Sequence, residues 1–105
     1  MSKVTKRPEV SKLSVTERDA ALASLTGWVV NDEKLYKSYR FADFVQAFGF
    51  MSMAALRIEK MNHHPEWSNV YQTVEVSLTT HDADGISIKD FELARILDEV
   101  AAKLQ

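Results

Sequence analysis

Glu59-Lys60-Met61-Asn62-His63-His64-Pro65-Glu66-Trp67 holds two of the three histidines, one of the two prolines and one of the two tryptophans of a 105-residue chain. A long apolar helical pattern runs into this stretch, and strand-like alternation follows it. Proline disfavours helix in the residue before it and cannot continue one itself, so the helix is expected to stop just where two imidazoles leave the backbone. Adjacent side chains on a helix or strand cannot both point the same way. Imidazole has an ordinary pKa near neutrality, which suits it to moving protons in either direction. The plainer alternative is a pair of solvated histidines completing the last helical carbonyls.

Upstream, Asp43-Phe44-Val45-Gln46 has a capping-box pattern and opens the longest helical segment, from Phe44 to about Met61. Phe44, Phe48, Met51, Ala55 and Ile58 make one apolar stripe, expected to cover the sheet, while Val45, Gly49, Met53 and Leu56 make a second on a neighbouring face. A small chain has few elements left to cover a second stripe, so this one is expected to meet another copy of the chain or another protein. Earlier still, Ser14-Val15-Thr16-Glu17 predicts a short helix from Val15 to about Leu25, stopped by Thr26-Gly27. Trp28-Val29-Val30 reads as a strand, residues 31–34 as a turn, and Leu35 to Phe41 as a second strand with Leu35, Lys37, Tyr39 and Phe41 on one side.

Downstream, Pro65 to Asn69 is expected to turn the chain back onto the sheet. Val70 to Thr80 then alternates as one half-buried strand, with Val70, Val74, Val76 and Leu78 on one face. Residues 81–85 form a turn that carries the third histidine, His81, at a strand end. Ser87-Ile88-Lys89-Asp90 caps a last helix to about Leu104, with Phe91, Ala94, Leu97, Val100 and Leu104 inward. The order helix, two strands, long helix, strand, helix predicts an α+β fold: a small antiparallel sheet covered on one face by helices. Its exposed edges would be hidden by strand pairing between subunits, a second reason to expect a homo-oligomer. Residues 1–12 read as an arm and 13–105 as a single domain.

Apolar residues at 46% and charged residues at 27% are ordinary for a globular domain, and a net charge of −2 gives no electrostatic reason for direct nucleic-acid binding. The absence of cysteine removes thiolate nucleophiles and cysteine metal ligands, and agrees with a reducing compartment. No apolar run reaches membrane-spanning length. A soluble protein of the cytoplasm or nucleus is expected.

His63, His64 and His81 are expected to line one pocket. Three imidazoles could hold zinc, but neighbouring positions 63 and 64 do not chelate one ion well. Metal-free acid–base catalysis, with Glu59 or Glu66 orienting an imidazole, is the more economical reading. Trp28, Trp67 and Tyr71 are candidates for a flat face against a planar ring.

The string Glu59-x3-His63-His64-Pro65-x5-Tyr71-x9-His81-x8-Asp90, together with Phe48-Gly49-Phe50-Met51, resembles the signature of the pterin-4a-carbinolamine dehydratases, known also as dimerisation cofactors of a homeodomain transcription factor. The resemblance covers nearly the whole chain. It implies loss of water from 4a-hydroxytetrahydrobiopterin to give quinonoid dihydrobiopterin, in the recycling of tetrahydrobiopterin for aromatic amino acid hydroxylases. A proton must leave N5 and another must reach the departing 4a-hydroxyl. By similarity, His63, His64 and His81 are the catalytic set. Asn62, Thr79, Thr80 and Asp82 join them in binding the pterin, and Glu59, Pro65, Trp67, Trp28 and Asp90 support them. The resemblance also implies a pterin substrate with no further cofactor and no metal. It further implies a homotetramer built as a dimer of dimers, by sheet-edge pairing and helix packing. The alternative is an interaction module for a transcription-factor dimerisation domain, using the long helix; retention of all three histidines favours the enzyme. Many members have aspartate at the position of Asn62, and mammalian members have cysteine at that of Ala83, so neither residue type is essential if the activity holds here.

Overall fold

A computed structural model describes residues 10–105, so positions 1–9 of the expected arm lie outside the described residues. The elements run α1 (Val15–Leu22), β1 (Val29–Asn31), β2 (Lys34–Arg40), α2 (Phe44–Met61), β3 (Glu66–Val70), β4 (Thr73–Leu78), a single 3-10 turn (His81–Ala83) and α3 (Ile88–Ala102). The four strands form one open antiparallel sheet in the order β1-β2-β4-β3. Its central register runs from Leu35↔Leu78 to Arg40↔Thr73. Strand alternation puts Leu35, Tyr39, Val74, Val76 and Leu78 into the core, and leaves Ser38, Arg40 and Glu75 on the open face. The expected α+β class is the one observed, with helices against a single face.

The expected single strand from Val70 to Thr80 is instead the second half of a hairpin. Pro65 to Asn69 is not a turn but mostly β3, and the reversal falls at Tyr71-Gln72, between the paired residues Val70 and Thr73. Tyr71 takes φ +53°, and the Asn69 amide donates to the carbonyls of Tyr71 (3.1 Å) and Thr73 (3.0 Å). A side-chain amide thus does what a glycine usually signals, which is why the turn left no ordinary mark in the sequence. Val70 consequently faces solvent rather than sharing the face of Val74.

Helix α2 is also rotated from the expected orientation. Its core stripe is Ala47, Phe50, Ala54 and Ile58, while Phe44 and Phe48 pack on each other at the surface, 5.7 Å between ring centroids. The two alanines let the helix approach the sheet. Phe50 fills the space between them, with its ring 4.8 Å from Tyr39, 5.1 Å from Phe41 and 6.4 Å from Trp67. The other expected stripe stays uncovered, with Val45 76% and Leu56 77% exposed and Met53 also exposed. Helix α1 is shorter than expected and buries no residue fully, although Ala21 and Leu22 lean on the core. Gly27, at φ +86°, makes the turn into β1.

At the far end of α3, Asp98 gathers three side chains. It accepts from Trp28 Nε1 (3.1 Å), Lys37 Nζ (2.8 Å) and the Tyr39 hydroxyl (2.6 Å). Burial first, and then the hydrogen bond to Asp98, push the Tyr39 hydroxyl well above the usual tyrosine range. A group held protonated in the folded state contributes stability that is lost once the unfolded chain can ionise. Folding stability is therefore expected to fall as pH rises beyond about 10, the ordinary tyrosine value. Tyr39→Phe should flatten that fall in urea titrations at several pH values. An equally steep fall in the variant would show that Tyr39 is not its source.

Candidate active site

Helix α2 ends on Asn62, which adopts the left-handed conformation (φ +53°) and donates its backbone N–H to the carbonyls of Ile58 (2.9 Å) and Glu59 (3.2 Å). Asparagine tolerates this conformation better than most residues. The turn sends the next two side chains apart. His63 goes inward and its side chain is 11% exposed; His64 goes outward and its side chain is 56% exposed. Pro65 then starts the chain into β3, where Trp67 packs toward Phe50.

His63 Nε2 lies 2.7 Å from Oδ1 of Asp90, a carboxylate with no exposed surface. A buried carboxylate is costly unless its oxygens are satisfied. Here Oδ2 accepts from the Thr80 hydroxyl (2.8 Å) and the Ser87 backbone N–H (2.9 Å), and Thr80 and Ser87 hydrogen-bond through their hydroxyls. An ionised Asp90 can only accept, so it fixes the proton of a neutral His63 on Nε2 and leaves Nδ1 as the free nitrogen. The same logic orders the hydroxyls: Thr80 donates to Asp90, and Ser87 donates to Thr80. Residues 87–90 read as a helix cap in the sequence, and they are one, with Asp90 bonded back to the Ser87 N–H. The cap is simultaneously the anchor of a histidine, a second use that its spacing does not reveal.

His81 follows Thr80 directly, so the Asp90 network joins the inner histidine to the base of the outer loop. That loop is closed by backbone bonds between Thr80 and Gly85 (2.9 and 3.3 Å). His81 is exposed and lines a cavity of about 250 Å³ together with Thr79, Thr80 and the β1–β2 turn. Asp82, also exposed, sits in the 3-10 turn. Asp90 thus ties the segment of Asn62, His63 and His64 to that of Thr80 and His81. The lining of the cavity at His81 includes none of Asn62, His63 and His64, so it is not the single pocket expected for the three histidines.

Other expected residues fall elsewhere. Glu59 approaches His64 at 3.3 Å on the exposed surface, whereas Glu66 pairs with Lys34 (2.7 Å) and orients no histidine. Trp28 cannot offer a flat face to a ligand. It is 3% exposed and tied to Asp98, eight residues along α3 from Asp90, so its part is in the core. Tyr71 is exposed at the β3–β4 turn. Among the described residues, no three His, Asp or Glu side chains are grouped as ligands for a metal ion. Sequence reading missed Ser87 and Lys34 as neighbours of the site. The first was hidden by its capping role, and the second by lying in an apparent turn.

Residues 11–100 match the family model described as Pterin 4 alpha carbinolamine dehydratase. A relative from Solibacter usitatus, provisionally named a pterin-4-alpha-carbinolamine dehydratase, is 55% identical over 88% of this chain and 97% of its own. One from Novosphingobium aromaticivorans with the same provisional name is 53% identical over 85% of this chain and 95% of its own. In three dimensions the chain is similar to the transcriptional coactivator/pterin dehydratase from Brucella melitensis, with a TM-score of 0.84 and 43% identity over 87% of this chain and 99% of that one. Three helices on one face of an open four-stranded sheet, and matches of this extent, place the molecule in a class of small α+β hydro-lyases. The chain belongs to the pterin-4a-carbinolamine dehydratase family.

Proposed function

We propose that the protein dehydrates 4a-hydroxytetrahydrobiopterin to quinonoid dihydrobiopterin and water by histidine acid–base catalysis without a metal, in the recycling of tetrahydrobiopterin for aromatic amino acid hydroxylases. The observation that carries this reading is His63 held by a fully buried, fully satisfied Asp90. A base oriented by a second group is the arrangement that proton transfer requires. Nδ1 of His63 takes or returns a proton at one face of the pterin, and His81 serves the other position, so that N5 loses its proton as the 4a-hydroxyl leaves protonated. His64 completes the set from the solvent side. Asn62, Thr79, Thr80 and Asp82 bind the ring, and a pterin substrate needs no further cofactor. Stopped-flow dehydration of 4a-hydroxytetrahydrobiopterin by the purified protein tests the reading, and a rate no faster than buffer would refute it. Exhaustive treatment with chelator is expected to leave the rate unchanged. Loss with recovery on adding zinc would instead favour a zinc site.

The proposed assembly is a homotetramer. The open β3 edge supports pairing into dimers, and the uncovered face of α2 supports packing of dimers on each other. The same face suits a transcription-factor dimerisation segment, and the Brucella melitensis relative is described as a coactivator as well as a dehydratase. Leu56→Glu or Met53→Glu places a charge on this face and should yield dimers by light scattering, with the dehydratase rate per subunit retained. A tetramer unaffected by both changes would remove α2 from the interface.

A further inference from the structure

We infer that Lys34 is a substrate-binding residue of this site, with its ammonium donating to the ring carbonyl O4 of the pterin; the inference rests on the proposed dehydration. Lys34 opens β2 and lines the same cavity as His81 and Thr79. Two features hold it there. Asp32 and Glu33, both at positive φ (+54° and +60°), form a two-residue turn of the tight hairpin kind, which fixes where β2 begins. Glu66 on β3 accepts from Lys34 Nζ at 2.7 Å, reaching across β4. The side chain is 32% exposed, and Glu66 occupies one of the three N–H donors of the ammonium, leaving two for a ligand.

The chemistry of the substrate selects its partner. C4 and C4a are neighbouring ring carbons, so O4 lies beside the 4a-hydroxyl and N5, where a histidine must work. A cation in the same cavity as His81 therefore meets O4, the electron-rich atom nearest to the reacting centre. O4 is a carbonyl before and after the loss of water, so this contact binds ground state and transition state alike. Such a contact lowers KM and leaves kcat largely unchanged.

Lys34→Met, which keeps the length of the side chain and removes its donors, is expected to raise KM about 10-fold or more, with kcat within about 3-fold of the wild type. Lys34→Arg should recover most of the loss. The urea midpoint should stay close to that of the wild type, because an exposed ion pair contributes little to stability. Binding of 7,8-dihydrobiopterin, followed by fluorescence, should weaken in parallel with KM. The same KM ratio is expected with a 6-methyl substrate lacking the hydroxylated side chain; if the ratio vanishes there, the ammonium contacts the side chain and the O4 assignment is wrong. An unchanged KM in Lys34→Met, with the wild type turning over normally, overturns the inference and leaves the dehydratase reading intact. A wild type that does not turn over refutes that reading itself.

Discussion

Replacing His63 with alanine is expected to slow dehydration by a factor of about 10² to 10⁴, the usual cost of removing a positioned acid or base. His81→Ala should also slow the reaction, although by a different amount, because His81 is exposed at its cavity while His63 is enclosed. A water molecule more easily takes the place of an exposed imidazole. The double variant should be slower than either single one. His63→Ala carries a second expected effect, since it leaves Asp90 Oδ1 without its donor, at a cost of about 1 to 3 kcal/mol. Circular dichroism and urea unfolding, run beside stopped-flow turnover, separate the two effects. A folded double variant with the wild-type rate would exclude these histidines as the catalytic groups.

Asp90→Ala should have the largest effect on stability. The change removes the acceptor of His63, Thr80 and the Ser87 N–H together, and opens the cap of α3. Breaking a buried charged network costs about 3 to 5 kcal/mol, which for a domain of this size lowers Tm by more than about 10 °C. Activity should fall as well, because His63 loses the group that fixes its tautomer. Calorimetry and turnover on Asp90→Asn give the discriminating comparison. The amide fills the same space but presents a donor where the network needs an acceptor, so this variant should stay folded with a reduced rate. A fully active Asp90→Asn would show that His63 needs no orientation.

Much of this arrangement was legible in the sequence, and what was not has identifiable causes. The helix stop before Pro65, the β1–β2 hairpin and the inward residues of α3 follow from turn chemistry and periodicity. The β3–β4 hairpin does not, because its reversal uses Tyr71 at positive φ braced by Asn69, with no glycine or proline to announce it. The rotation of α2 was misread because phenylalanines at 44 and 48 outweigh alanines at 47 and 54 in any count of hydrophobicity. Close packing against the sheet favours the alanines. The histidines were visible as residue types, but the division of His63 and His64 into one enclosed and one exposed ring depends on the left-handed Asn62. The spacing of residues 87–90 declares a cap and is silent on its use as an anchor. Lys34 reaches the site only because β2 and β4 are neighbours, which no local pattern states.

The pairing of β2 with β4 also governs how the molecule comes into being. These central strands are separated along the chain by α2 and β3, so their first ladder contact closes a loop of some thirty residues, from Arg40 to Thr73. The entropy of closing that loop is lost before the ladder returns any energy, which slows folding relative to a helical bundle of equal length. Lys34 and His81 sit beyond the same end of that ladder, the Leu35–Leu78 end, on strands that meet only when it forms, and His63 lies inside the loop. Before closure, a nascent or truncated chain can form α2 and each hairpin separately while Lys34 and His81, the two sides of the cavity, stay apart. Kinetic refolding followed by recovery of turnover should therefore track formation of the central ladder rather than the earlier appearance of helix.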